Sequence, residues 1–138
     1  FFFQADDGIR YSSTSRGLGD VYKRQGKCNP NDQKNYRTRC CAHLKFNDIS
    51  ILIDTSPDLR SQLLRNKIKD VDCALYTHAH ADQTHGINDL RAFYIKYRKR
   101  LNVYADRLTK KHLMSSFGYC FKNKPGYPAI LKMNLLMS

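Results

Sequence analysis

With 138 residues, 41% of them hydrophobic, the chain is sized for one domain, and 24 Lys and Arg against 12 Asp and Glu give a net charge of +12. No apolar run approaches the roughly 20 residues of a membrane helix, and no charged segment leads into one as in a secretory signal, so membrane and exported classes are set aside and a cytoplasmic protein without a membrane partner is expected. Five cysteines (Cys28, Cys40, Cys41, Cys73 and Cys120) are odd in number and form no C-x-x-C pair, which excludes a disulfide-stapled scaffold.

Residues 1–25 are expected to lie outside the domain. Ser15-Arg16-Gly17-Leu18-Gly19-Asp20-Val21-Tyr22-Lys23-Arg24-Gln25 matches, codon for codon, the translation of a transposase sequencing adapter. Residues 4–10 look like a second adapter with one change, and Phe1, Phe2 and Phe3 like a run of T. The competing expectation is a genuine apolar strand, which would bury those phenylalanines. The domain is then 26–138, a partial one cut at its C-terminal side, and it still carries 20 basic and 9 acidic residues. Basic blocks at 96–100, 107–112 and 122–124 suit a phosphate backbone. The Asn- and Ile-rich composition around them fits a lysine-rich solvated surface better.

Residues 26–35 read as a polar loop, 37–46 as a strand, Asn47-Asp48 as a turn and 49–53 as the returning strand of a β-hairpin. Adjacent Cys40 and Cys41 should face opposite sides of the strand and cannot both line one site. At Asp54-Thr55-Ser56-Pro57 the period changes: Ser56 suits an N-cap, Pro57 the first helical position and Asp58 the helix dipole, opening a helix to about Asn66. Val71-Asp72-Cys73-Ala74-Leu75-Tyr76 is a buried strand in which Cys73 is a small hydrophobe. Residues 87–99 are helical at least at their start, and 101–105 form another strand. Residues 107–121 have helical spacing, with Leu108, His112 or Leu113, and Ser116 or Phe117 on one face and a stop near Gly118. Residues 128–136 begin one more strand. Alternating strands and helices after a hairpin define an α/β fold with helices covering a sheet.

Between the strand 71–76 and the next helix stands His78-Ala79-His80-Ala81-Asp82-Gln83-Thr84-His85, followed by Gly86. Imidazole nitrogen and carboxylate oxygen are ligands for zinc and similar divalent ions, and a strand end of an open α/β sheet is where such sites are built. The chemistry predicted is metal-assisted hydrolysis. His112 reads as a surface residue on its helix, and His43 as a hydrogen-bonded sheet histidine.

Ile51-Leu52-Ile53-Asp54-Thr55 followed by Thr77-His78-Ala79-His80-Ala81-Asp82 resembles the metallo-β-lactamase-fold hydrolases. Asn35-Tyr36-Arg37-Thr38-Arg39-Cys40, Asp54-Thr55-Ser56-Pro57-Asp58-Leu59-Arg60 and His85-Gly86-Ile87-Asn88-Asp89-Leu90-Arg91 are similar to the group related to phosphoribosyl cyclic phosphate phosphodiesterase. The resemblance implies an αββα sandwich of which this chain is the N-terminal half. It implies one or two Zn2+ or Mn2+ ions per complete domain, with His78 and His80 on one and Asp82 with its successor on the second. That successor is normally histidine in the family, whereas here it is Gln83, a weak neutral ligand, so the second ion is absent, weakly held, or held by His85 instead. Asp82 would also be the catalytic carboxylate, Asp54 would buttress the histidine loop, and Arg60 and Arg91 would approach substrate phosphate. Some members of the group hold a structural zinc on N-terminal cysteines, a site that Cys28 alone cannot make.

The function expected is a metal-dependent phosphodiesterase on a small cyclic or diester phosphate, with the fragment itself perhaps inactive for want of ligands from the second half. One alternative is an RNA 3′-end-processing endoribonuclease of the same superfamily, for which no RNA-clamping arm is seen, and RNA is accordingly the lesser partner. Another is a non-catalytic metal- or nucleic-acid-binding module.

Overall fold

The computed structural model describes the backbone of residues 2–5 and all of residues 38–136. The adapter-like residues 15–25, the polar loop 26–35 and Cys28 lie outside the described residues. Strands β1 (Phe2–Ala5), β2 (Ala42–Phe46), β3 (Ile49–Ile53), β4 (Cys73–Leu75), β5 (Leu101–Ala105) and β6 (Leu131–Leu135) form one mixed sheet in the order of the sequence. β1 pairs antiparallel with β2, from Phe2 opposite Lys45 to Ala5 opposite Ala42, which places a strand inside the segment that the adapter reading sets aside. β2 and β3 are the predicted hairpin, turned at Asn47 with φ 52°, a left-handed conformation that asparagine tolerates well. From β3 onward every pairing is parallel, so the C-terminal ends of β3, β4, β5 and β6 lie along one edge.

Between the parallel strands run helices α1 (Leu59–Arg65), α2 (Ala81–Thr84), α3 (Arg91–Tyr97), α4 (Arg107–Ser116) and α5 (Gly118–Phe121), with a 3₁₀ turn at Ile87–Leu90. The side-chain period of two sorts each strand. Leu52, Ala74 and Val103 sit side by side across the sheet and form one core with Leu59, Leu63, Ile87, Leu90, Phe93, Leu113, Phe117 and Cys120 from the helical segments. Removing a large buried side chain such as that of Leu52 or Leu113 from water contributes about 1.5–3 kcal/mol. The alternate row, Ile51, Ile53, Leu75 and Tyr104, is half-buried on the other face. Among the described residues no helix is long and apolar enough to cross a membrane.

Several expected limits shift, each for a tertiary reason. α1 begins at Leu59 with Asp58 as its N-cap, not at Pro57 after Ser56. The Ser56 hydroxyl accepts from the Asp58 amide (3.2 Å) and donates to Gln62 Oε1 (2.9 Å). Asp58 is engaged by the Arg39 amide (2.8 Å) and guanidinium (3.8 Å) rather than by its own helix. α3 stops at Tyr97 because Arg98 turns left-handed (φ 53°), and the predicted helix 107–121 breaks at Phe117 into two. α4 is capped by Asp106, whose carboxylate accepts from the Thr109 amide (2.7 Å), a bond that holds it below the usual carboxylate range. Leu108 is 77% exposed, against expectation. The buried stripe runs through Thr109, Leu113 and Phe117 instead, spaced by four. Cys73 is half-buried rather than enclosed, and Cys40, Cys41, Cys73 and Cys120 are all free thiols.

His43 is the hydrogen-bonded sheet histidine expected. The Ser50 hydroxyl donates to the Asp70 carbonyl (2.6 Å), so at 2.8 Å it accepts from His43 Nε2–H. Burial first, and Lys45 second, push the imidazole below its ordinary value of 6.5. A histidine lowered in the folded state binds its proton more readily when unfolded, so its contribution is complete above 6.5 and is lost as pH falls from there through the folded value. His43→Gln, which keeps an N–H donor, is expected to flatten thermal stability over that window relative to the parent. Parallel pH profiles in both proteins would refute this.

Candidate metal centre

The histidine loop leaves the C-terminal end of β4 beside the end of β3, whose last residue, Ile53, pairs with Leu75. Asp54 follows with φ 62°, a conformation that few residues other than glycine and the short polar ones adopt. It is 6% exposed. Its amide donates to the Leu75 carbonyl (2.7 Å). The turn aims its carboxylate at Thr77, where one oxygen accepts the backbone amide (2.8 Å) and the other the hydroxyl (2.7 Å). Burial raises the Asp54 carboxyl above its ordinary value, and the two bonds from Thr77 oppose that.

Thr77 carries this constraint to the metal-ligating candidates. Its single hydroxyl proton is committed to Asp54, so the 2.8 Å contact between Thr77 Oγ1 and His78 Nδ1 has the imidazole as donor. The tautomer that results leaves the Nε2 lone pair free, the form in which a histidine binds a metal. The His80 ring stands edge-on to that of His78, with 4.6 Å between ring centroids. Both side chains are exposed. A second Thr-His pair repeats the device: Thr84 Oγ1 donates to the His80 carbonyl (3.0 Å) and accepts from His85 Nδ1 (3.2 Å). His85 also packs edge-on against Phe117, with ring centroids 5.5 Å apart.

The loop is clamped to the β3–α1 connection at Thr55. The Thr55 amide donates to the Gln83 carbonyl (2.7 Å), and its carbonyl accepts from the Gly86 amide (2.9 Å). Its hydroxyl donates to the Thr84 carbonyl (3.3 Å) and accepts from the Tyr76 phenol (2.7 Å), which burial holds protonated well above its ordinary range. Thr55, Tyr76, Thr77 and Thr84 were not singled out from the sequence. The signal available for two of them was a threonine directly before a histidine, at 77–78 and again at 84–85.

The remaining candidates divide. Gln83 is buried, and its side-chain amide donates to Asp82 Oδ2 at 3.1 Å, so it acts on the neighbouring carboxylate as a hydrogen-bond donor. Asp82 is exposed in the first turn of α2. Arg60 lies exposed on α1, while Arg91 stacks on Tyr127, its guanidinium carbon 4.0 Å from the ring centre. His112 is exposed on α4 and His43 is bound to Ser50, so neither joins the loop. Among the described residues no three His, Cys, Asp or Glu side chains converge closely enough to hold an ion. The adjoining rings of His78 and His80 fit a divalent ion as half of a ligand set, and the described residues do not assemble the other half around them.

A family profile described as "Beta-lactamase superfamily domain" matches residues 50–136. An octanoyltransferase from Porphyromonas gingivalis is 36% identical over 119 residues, which are 85% of this chain and 23% of that protein. The crystal structure of a diphosphatase from the PhnP family superposes with a TM-score of 0.68 at 29% identity, over 80% of this chain and 44% of that one. Zn2+-bound PqqB from Methylobacterium extorquens superposes with a TM-score of 0.53 at 14% identity, over 96% and 42%. The chain therefore spans less than half the length of each of these relatives.

Proposed function

The chain belongs to the β-lactamase superfamily, and from that premise we propose that it is part of a metal-dependent hydrolase acting on a small cyclic or diester phosphate. The observation that carries this reading is the His78 and His80 pair, ring against ring at the carboxyl end of a parallel sheet, with the His78 tautomer set by Asp54 through Thr77. The resemblance to a diphosphatase of the PhnP family favours a phosphate ester over other substrates. His78 and His80 would hold Zn2+ or Mn2+ through Nε2, with Asp82 and His85 as further donors. A divalent ion there supplies Lewis-acid chemistry to the phosphoryl group. Asp82 would orient or deprotonate the nucleophile, and Asp54 would keep the loop in register. Arg60 is the outlying candidate for substrate phosphate.

The test is hydrolysis of bis(p-nitrophenyl) phosphate by the purified chain supplied with Zn2+ or Mn2+, alongside direct measurement of ion binding. Hydrolysis that chelation abolishes supports the reading. Ion binding without turnover reduces the chain to a metal-binding module, and the absence of both overturns the proposal.

Gln83 supplies a second check. Since its amide donates to Asp82 rather than offering a nitrogen lone pair, Gln83→His is expected to raise the number of ions bound per chain, read by elemental analysis. An unchanged ion content would remove Gln83 from any account of the second ion.

A further inference from the structure

The segment that leaves the histidine loop is zipped to residues 117–127 by three successive contacts. His85 packs on Phe117, Asn88 Oδ1 accepts from the Tyr119 hydroxyl at 2.7 Å, and the Arg91 guanidinium lies over the Tyr127 ring. The spacing of three is what the 3₁₀ turn imposes, because side chains at i and i+3 eclipse there. His85, Asn88 and Arg91 therefore stand in one line about 10 Å long, leading away from the candidate ligands.

This line presents donors without acceptors. One terminal nitrogen of Arg91 is buried and donates to nothing among the described residues, a costly state for a guanidinium. The Asn88 carboxamide has its oxygen engaged by Tyr119, with Cys120 Sγ at 3.7 Å as well, which turns its NH2 group outward. No Asp or Glu occurs between residues 107 and 138, so the facing wall has no carboxylate to offer. Burial pushes the nearby Cys120 thiol up to about 11, so it supplies no anion either. Asp89 is the one acid in this stretch, and a residue one or two positions away on a helix does not share the face of Asn88 and Arg91.

We propose that Asn88 and Arg91, backed by Tyr119 and Tyr127, form a binding site for a second phosphate group of the substrate, distinct from the one cleaved. The proposal rests on the phosphodiesterase reading and narrows the substrate class to molecules carrying a phosphate beyond the scissile one. A guanidinium fork and a carboxamide NH2 are the donors that a phosphate monoester accepts.

The test is calorimetric titration of the full chain with inorganic phosphate in the presence of a chelator, which silences the histidine loop. The parent chain is expected to bind phosphate, and Arg91→Met to weaken that binding on the order of ten- to hundredfold, with Arg91→Lys recovering part of the loss. Asn88→Asp, exposed and still able to accept from Tyr119, should weaken it as well, which guards against misfolding of the arginine variant. Phosphate affinity unchanged in both Arg91→Met and Asn88→Asp, with Arg91→Met only lowering thermal stability, would overturn the proposal and make the stack a packing device. No phosphate binding by the parent chain would overturn it equally. Arg91-dependent phosphate binding in a chain that hydrolyses no diester with either ion would retain this site and discard the phosphodiesterase reading.

Discussion

Replacing His78 or His80 by alanine is expected to abolish tight binding of Zn2+ or Mn2+ and, with it, any diester hydrolysis. The two rings are the only pair of imidazoles brought edge to face among the described residues, and an ion held by one histidine of such a half-site keeps little affinity. The size of the effect can be ranked in advance. Thr77→Val removes only the hydroxyl that fixes the His78 tautomer, and losses of that indirect kind run about 10–100-fold in metal affinity. Either histidine variant should therefore lose more than Thr77→Val does, as read by titration with each ion. Thr77→Val binding the ion as tightly as the parent would show that the Asp54–Thr77–His78 chain does not govern the imidazole. Undiminished binding in His80→Ala would remove the histidine loop from the metal site altogether.

Gly86→Ala is expected to be the most destabilising single methyl that could be added to the loop. The φ of Gly86 is −86°, which any residue can adopt, so backbone freedom is not the reason for glycine here. Space is. A Cβ at this position would stand 2.0 Å from the Ser56 carbonyl oxygen and 2.9 Å from Leu59 Cβ. The first neighbour is main chain and cannot rotate away. Overpacking of this kind costs typically 1–3 kcal/mol and more where backbone must move, so about 3 kcal/mol is expected, a fall in Tm of roughly 12–24 °C for a small domain. The same shift would part Gly86 from Thr55 (2.9 Å) and loosen the histidine loop, so ion affinity should fall together with stability. Gly118→Ala is the control, since nothing lies within 4 Å of its added carbon, and it should be neutral. A Gly86→Ala protein that melts with the parent would mean that the β3–α1 connection and the loop are not in contact.

The amino-acid sequence alone determined the elements whose signal is local. The hairpin, with β3 at residues 49–53, and the strand at 101–105 were legible to the residue, because strict alternation bounded by turn residues leaves a strand no other register. The grouping of His78 with His80 was legible too, since two positions in extended chain point the same way. The Asp54 buttress followed from its place at a strand end.

Tertiary structure decided everything that depends on partners far along the chain. Leu108 faces water and Thr109 the core because the sheet, not the helix pattern, chooses which stripe is buried. Ser56 serves Gln62 and Asp58 serves Arg39 instead of their own helix because those partners lie 6 and 19 residues away. The constraint that Thr77 transmits from Asp54 to His78, the close approach of Gly86 to Ser56 and the line of His85, Asn88 and Arg91 along residues 117–127 all join segments separated by 22 or more positions. Such contacts leave no trace in local periodicity, because hydrogen bonds and packing are set by distance in space, and only the parallel pairing of β3, β4, β5 and β6 brings those segments together.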